Sequence, residues 1–126
     1  MESGGSGRDY DPKRLGRFGE DLAARWYVEH GYHVVDRNWR STTGELDLIA
    51  ARVTAAGDEL VIVEVKTRSS LRFGAPVDAV GAAKQRRVRQ LAAEWLAAHR
   101  VGPYAAVRFD VVAVIGRRVE VVEHAF

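Results

Sequence analysis

Asp47, Glu64 and Lys66 are the residues of this sequence best placed to do chemistry together. The stretch Gly44-Glu45-Leu46-Asp47-Leu48-Ile49-Ala50 alternates in strand fashion, and Leu60-Val61-Ile62-Val63-Glu64-Val65 is a β-branched run too short for a buried helix. Thr54-Ala55-Ala56-Gly57-Asp58 between them is a turn signal. An antiparallel hairpin centred between Ala56 and Gly57 sets Asp47 opposite Lys66 and Ile49 opposite Glu64. Side chains two apart share a face, so Asp47, Glu64 and Lys66 converge on one side of the sheet. Two carboxylates and an ammonium among residues this apolar are costly unless they pair or hold a metal. Hydrolysis of a phosphodiester is the chemistry that such a set supports. It needs an activated water, charge stabilisation on the phosphoryl oxygens and help for the leaving oxygen, all of which Mg²⁺ can supply. Mg²⁺ takes hard oxygen ligands and keeps several waters, so two or three carboxylates suffice. Asp47 and Glu64 fit as ligands, Glu20 as a further ligand, directly or through a water, and Lys66 as the group that orients the attacking water or stabilises the phosphoryl charge. Glu45 is expected to face away from Asp47 and to stay outside the set.

The elements that must position these groups follow from the rest of the chain. Asp11-Pro12 fits a helix start that runs to about His30 and stops at Gly31, with an apolar stripe of Leu15, Phe18, Leu22 and Trp26 and with Gly19 and Ala23 alongside. Glu20 lies on the edge of that stripe, in line with Gly16, Ala23 and Tyr27, so it either looks toward the sheet or forms an ordinary surface pair. Residues 32–39 read as a first strand, giving a three-stranded meander with the hairpin. Residues 69–76 read as a loop whose Arg72 and Phe73 could meet a nucleotide or, for the Phe, plug the core. A second helix from Val77 or Ala82 to Arg100 is marked by Val88, Leu91, Trp95 and Leu96, and Lys84 falls on this buried stripe while Arg86 and Arg89 point away. Strands follow over residues 105–115 and 119–122. A helix between strands three and four implies a parallel pair there. The order is αβββαββ, a mixed sheet with helices packed on it in the α/β or α+β class. Asp110 and Arg108, two apart on the fourth strand, read as a structural ion pair.

Composition limits the alternatives. The 126 residues are 47% hydrophobic and 29% charged, which suits one folded domain over 11–126 behind a disordered Gly/Ser-rich tail at 1–10. Zero cysteines exclude thiolate catalysis and Cys-based zinc, and the four His lack paired metal-ligand spacing, so any metal is held by oxygen. No apolar run reaches the roughly 18 residues of a membrane span and no signal peptide is seen, so a cytoplasmic protein without a membrane partner is expected. From Glu64 to Arg89 the chain has seven basic residues and two acidic ones, +5 in that window against +2 overall. A basic face beside carboxylates suits a polyanion such as nucleic acid, and a solvated helix face is the blander account.

Asp47, a sixteen-residue gap and Glu64-Val65-Lys66 resemble the PD-(D/E)XK signature of restriction-endonuclease-like nucleases, whose core order is αβββαβ. Leu46 stands where that signature expects Pro. Gly19-Glu20, Asn38-Trp39-Arg40, Gly44 to Ala50, Val63 to Arg68, Arg108-Phe109-Asp110-Val111-Val112 and Ala125-Phe126 are similar to the YraN-type family of small bacterial proteins, over about Leu15 to Phe126. The resemblance implies a single restriction-endonuclease-like domain related to Holliday junction resolvases, which are Mg²⁺-dependent dimers. It implies Glu20, Asp47, Glu64 and Lys66 as the catalytic constellation, with the Val65 backbone carbonyl as an extra ligand and Mg²⁺ or Mn²⁺ as the only cofactor. Lys84 matches an auxiliary basic residue of such nucleases. Arg40, Arg68, Arg72, Lys84, Arg86 and Arg87 are the expected nucleic-acid contacts, DNA the expected partner, in branched or junction form, and a homodimer the expected assembly. The main rival is a catalytically inactive nucleic-acid-binding module or partner subunit with the same fold. A purely structural role for Asp47, Glu64 and Lys66 as a neutral buried network ranks last.

Overall fold

The β2–β3 hairpin (Glu45–Thr54 and Gly57–Arg68) is the centre of a computed structural model that describes residues 12–68, 81–100 and 102–126. Its turn is tighter than the sequence suggests. Thr54 pairs directly with Gly57, and the Thr54 hydroxyl donates to the Gly57 carbonyl at 2.7 Å and accepts from the Ala56 amide at 3.2 Å. Gly57, at φ +124°, can take the backbone this closure needs. The hairpin is therefore centred between Ala55 and Ala56, and Leu48 pairs with Val63 and Ile49 with Ile62. The expected register was two residues off. A slip of two keeps every side chain on its face, so the predicted convergence survives. What changes is the partner: continued by one residue, the observed register sets Asp47 across from Glu64 instead of Lys66.

The remaining elements are α1 (Pro12–Glu29), β1 (His33–Arg40), α2 (Ala82–His99), β4 (Ala106–Ile115) and β5 (Arg118–Val122), the expected αβββαββ order. They build one five-stranded sheet in the order β1-β2-β3-β4-β5. β3 and β4 run parallel and the other neighbours antiparallel, giving the mixed sheet of an α+β domain. The Asp11 cap, the 1–10 tail, and Arg72 and Phe73 lie outside the described residues.

Alternation along β3 sorts the core into two layers. Val61 and Val63 pack with Ala23, Ala24 and Tyr27 of α1, whereas Leu60 and Ile62 pack with Val88, Leu91, Ala92 and Trp95 of α2. Because helices cover both faces, the central strands are apolar on both, which is why β3 reads as a continuous run. The buried stripe of α2 is the expected one.

The stripe of α1 is rotated from the expected one. Phe18 is 40% exposed and Leu22 and Trp26 pack at the edge of the core, while Gly19 and Ala23, expected alongside the stripe, face the sheet with Ala24 and Tyr27. Small residues let the helix axis come close: a Cβ on Gly19 would collide with Thr67 Oγ1. Tyr27 also has a polar reason to point inward, since its hydroxyl donates to Asp110 Oδ2 at 2.6 Å. The Arg108–Asp110 pair forms as expected, with two guanidinium hydrogen bonds of 2.8 Å, and Arg108 also donates to the Tyr32 hydroxyl at 2.9 Å and to Glu59 at 3.1 Å. Both charges are buried and compensated.

Candidate active site

The site lies where β2 and β3 part. Their ladder ends at Leu48 and Val63, but β3 continues beside β4 to Arg68. The Val65 amide, past the end of that ladder, donates instead to Asp47 Oδ2 at 2.9 Å. Asp47 is thereby fixed at the fork, and the Glu64 carboxylate lies close enough to act on it electrostatically.

Glu64 has nearly no exposed surface and is held by two lysines. Its Oε2 is ion-paired with Lys84 Nζ at 3.0 Å and with Lys66 Nζ at 3.4 Å. Lys84 reaches it from the first turn of α2, which explains an amine on a buried helical stripe. Asp47, Glu64, Lys66 and Lys84 thus form a cluster of two carboxylates and two ammoniums.

The Asp47 carboxyl is pushed up to about 7, first by burial, then by the Glu64 charge, with Glu20 and Glu45 adding to it and the Val65 amide opposing. Glu20 is also raised. Burial is the main cause, and a hydrogen bond from Asn38 and the Arg37 charge pull the other way. Glu20 Oε1 is buried with no hydrogen-bond partner. The Arg37 guanidinium stands 4.0 Å from it and is engaged by Asp21 at 2.6 Å. The inward position of Glu20 follows from the rotation of α1, because Ala23 and Tyr27, in line with it, are fully buried.

Glu45 belongs to the same neighbourhood, contrary to expectation. Residues 45 and 47 of a strand share a face. Glu45 raises both Asp47 and Glu20 and lines a cleft of about 400 Å³ with Gly16, Arg17, Glu20, Asn38 and Arg40. Arg17, Asn38 and Glu45 were not anticipated as site residues. The backbone of β1 that places Asn38, with a bulge between Val34 and Asp36 and φ +52° at Asn38 itself, leaves no mark in hydrophobic periodicity.

Among the described residues, no three Asp, Glu or His side chains are drawn together tightly enough to form a ready-made metal cage. Asp47 and Glu64 come together, and Glu20 stands back from them. The basic residues spread around this centre. Arg40 is exposed and paired with Glu45 at 3.4 Å, Arg68 is partly buried at the end of β3, and Arg86 and Arg87 are exposed on α2, where the Arg87 stem lies over Gly44. Arg89 is occupied elsewhere, its guanidinium 4.7 Å above the Phe109 ring. No helix among the described residues is long and apolar enough to cross a membrane.

Comparison with known proteins gives these residues a context. Residues 19–114 match the family described as "Uncharacterised protein family UPF0102". The UPF0102 protein of Rhodococcus opacus is 55% identical over 101 residues, covering 80% of this chain and 81% of that protein. The UPF0102 protein of Beutenbergia cavernae is 52% identical over 104 residues, covering 82% and 84%. The structure of Pyrococcus furiosus SfsA in complex with Ca²⁺ matches at a TM-score of 0.26 and 13% identity over 90% of this chain and 62% of that one, too loosely to carry an argument. The chain belongs to the UPF0102 family, the YraN family that its motifs resemble.

Proposed function

We propose that this chain is a metal-dependent endonuclease that hydrolyses phosphodiester bonds in DNA in the cytoplasm. The observation that carries the reading is the Asp47–Glu64 pair. Two carboxylates are held side by side at a strand fork, and one of them is pushed up to about 7 by burial and its neighbour's charge. Such an arrangement costs stability and is relieved by a hard divalent cation. Asp47, Glu64 and the Val65 carbonyl would hold Mg²⁺ or Mn²⁺, with Glu20 joining through a water. When bound, that ion supplies Lewis-acid stabilisation of the phosphoryl oxygens and a more acidic water.

The chain's own residues do the rest. Lys66, 3.4 Å from Glu64 Oε2, places a positive charge where the phosphoryl oxygens gain negative charge. Lys84, on the same oxygen, steadies the Glu64 carboxylate and is auxiliary. Arg40, Arg68, Arg86 and Arg87 would take backbone phosphates on either side. The test is cleavage of DNA by the purified protein with Mg²⁺ or Mn²⁺. Activity that EDTA abolishes and that Asp47→Asn lowers by at least about 100-fold supports the reading. The second reading, an inactive DNA-binding module, draws on the two lysines that already satisfy Glu64. It expects DNA binding with no cleavage in either metal.

A further inference from the structure

Of the residues lining the cleft, Gly16, Arg17, Glu20, Asn38, Arg40 and Glu45, only Glu20 belongs to the hydrolytic set. The cleft adjoins that set, since Glu20 and Glu45 both act on the Asp47 carboxyl. Its volume, about 400 Å³, is near the small end of the roughly 300–1,000 Å³ of small-molecule sites. That is room for one nucleotide and too little for a base pair with its two backbones. Its lining suits a nucleotide better than a second cation, because two arginines share it with the carboxylates. The Arg40–Glu45 contact, 3.4 Å with Arg40 76% exposed, is a weak surface pair that can yield the guanidinium to a phosphate. The buried Glu20 Oε1 acceptor has no donor, and the exposed Asn38 amide at the rim bonds the same carboxylate. A buried acceptor without a donor is matched by the amino group of a base, as when a carboxylate accepts from cytosine N4.

We infer that this cleft binds one unpaired, amino-bearing nucleotide next to the cleaved phosphate, so the substrate has a single-stranded or frayed strand there instead of continuous duplex. A paired base brings its complement and a second backbone with it, which a cleft of this size does not admit. The inference rests on the nuclease reading for the place of the phosphate, but it is read by binding and does not need turnover.

Gly16 supplies a clean test. It sits in α1, nothing lies within 4 Å of a Cβ built on it, and it lines the cleft, so a larger side chain fills the space without disturbing a polar group. Replacing a helical glycine also favours the helix. Fluorescence anisotropy in Ca²⁺ and in EDTA would compare blunt duplex with the same duplex carrying a single-stranded overhang. The overhang is expected to bind at least about ten-fold tighter, with cytosine preferred several-fold over thymine at the junction. Gly16→Phe should lose that preference and keep its affinity for blunt duplex. Equal affinity for both DNAs, an unchanged preference in Gly16→Phe, no base preference, or no binding of either DNA overturns the inference. Cleavage of blunt duplex as fast as overhang DNA, unchanged in Gly16→Phe, overturns it while leaving the nuclease reading intact.

Discussion

Asp47 Oδ2 accepts the Val65 amide at 2.9 Å at the point where β2 stops pairing with β3. A side chain thus does the work of a strand backbone, and the same contact brings Asp47 within reach of the Glu64 charge. The carboxylate is held by its backbone bond and opposed by its neighbour, and the consequences can be measured.

The first concerns pH. Burial and the Glu64 charge push the folded Asp47 carboxyl up to about 7 from its ordinary value of 3.8. A group raised in the folded state contributes its stability in full below the unfolded pKa and loses it as pH rises through the folded one. Without metal, the protein should lose roughly a few kcal/mol between about pH 4 and pH 7 from Asp47. Urea unfolding in EDTA at pH 5 and pH 8 checks this. Asp47→Asn should flatten the dependence, and millimolar Mg²⁺ should restore stability at pH 8. A wild type more stable at pH 8 in EDTA, or Asp47→Asn with the same slope, contradicts it.

The two lysines on Glu64 should separate. Lys66→Ala is expected to lose at least about 100-fold in cleavage rate, whereas Lys84→Ala should lose about ten-fold or less, since it acts through Glu64. Single-turnover rates at saturating metal distinguish them. Equal losses would show that Lys84 meets the substrate itself.

The close approach of α1 makes Gly19 a stability position. Gly19→Ala should cost about 1–3 kcal/mol through the collision with Thr67, despite the better helix propensity of alanine. Adding Thr67→Ala should recover most of it, which urea midpoints of the three variants would report.

The buried network should respond unequally to its members. Arg108→Ala leaves Asp110 uncompensated in the core and is expected to cost about 3–5 kcal/mol. Tyr27→Phe removes one hydrogen bond from a carboxylate that still has Arg108, and should cost about 1–2 kcal/mol.

What could be read from the sequence tracks periodicity. The strand faces of Asp47, Glu64 and Lys66 survived a two-residue error in register because side-chain direction depends only on odd or even position. The place of Lys84 survived because α2 buries its largest apolar residues. On α1 the expected stripe is slightly off in rotation: Gly19 and Ala23, expected alongside it, lie with Ala24 and Tyr27 on the buried face, Leu22 and Trp26 pack at its edge, and the bulky Phe18 is left outside. The cleft was hidden for another reason. Arg17, Asn38 and Glu45 come from three elements, and what brings them together is a β1 backbone with a bulge and a left-handed Asn38, neither written in apolar spacing.

The most direct test of the account is incubation of the protein and of Lys66→Ala with linear, flapped and four-way-junction DNA in Mg²⁺, Mn²⁺ or EDTA. The account predicts cutting in Mg²⁺ or Mn²⁺, none in EDTA and none by Lys66→Ala, with DNA that offers an unpaired nucleotide cut best. Wild type that binds these DNAs and cuts none in either metal contradicts it.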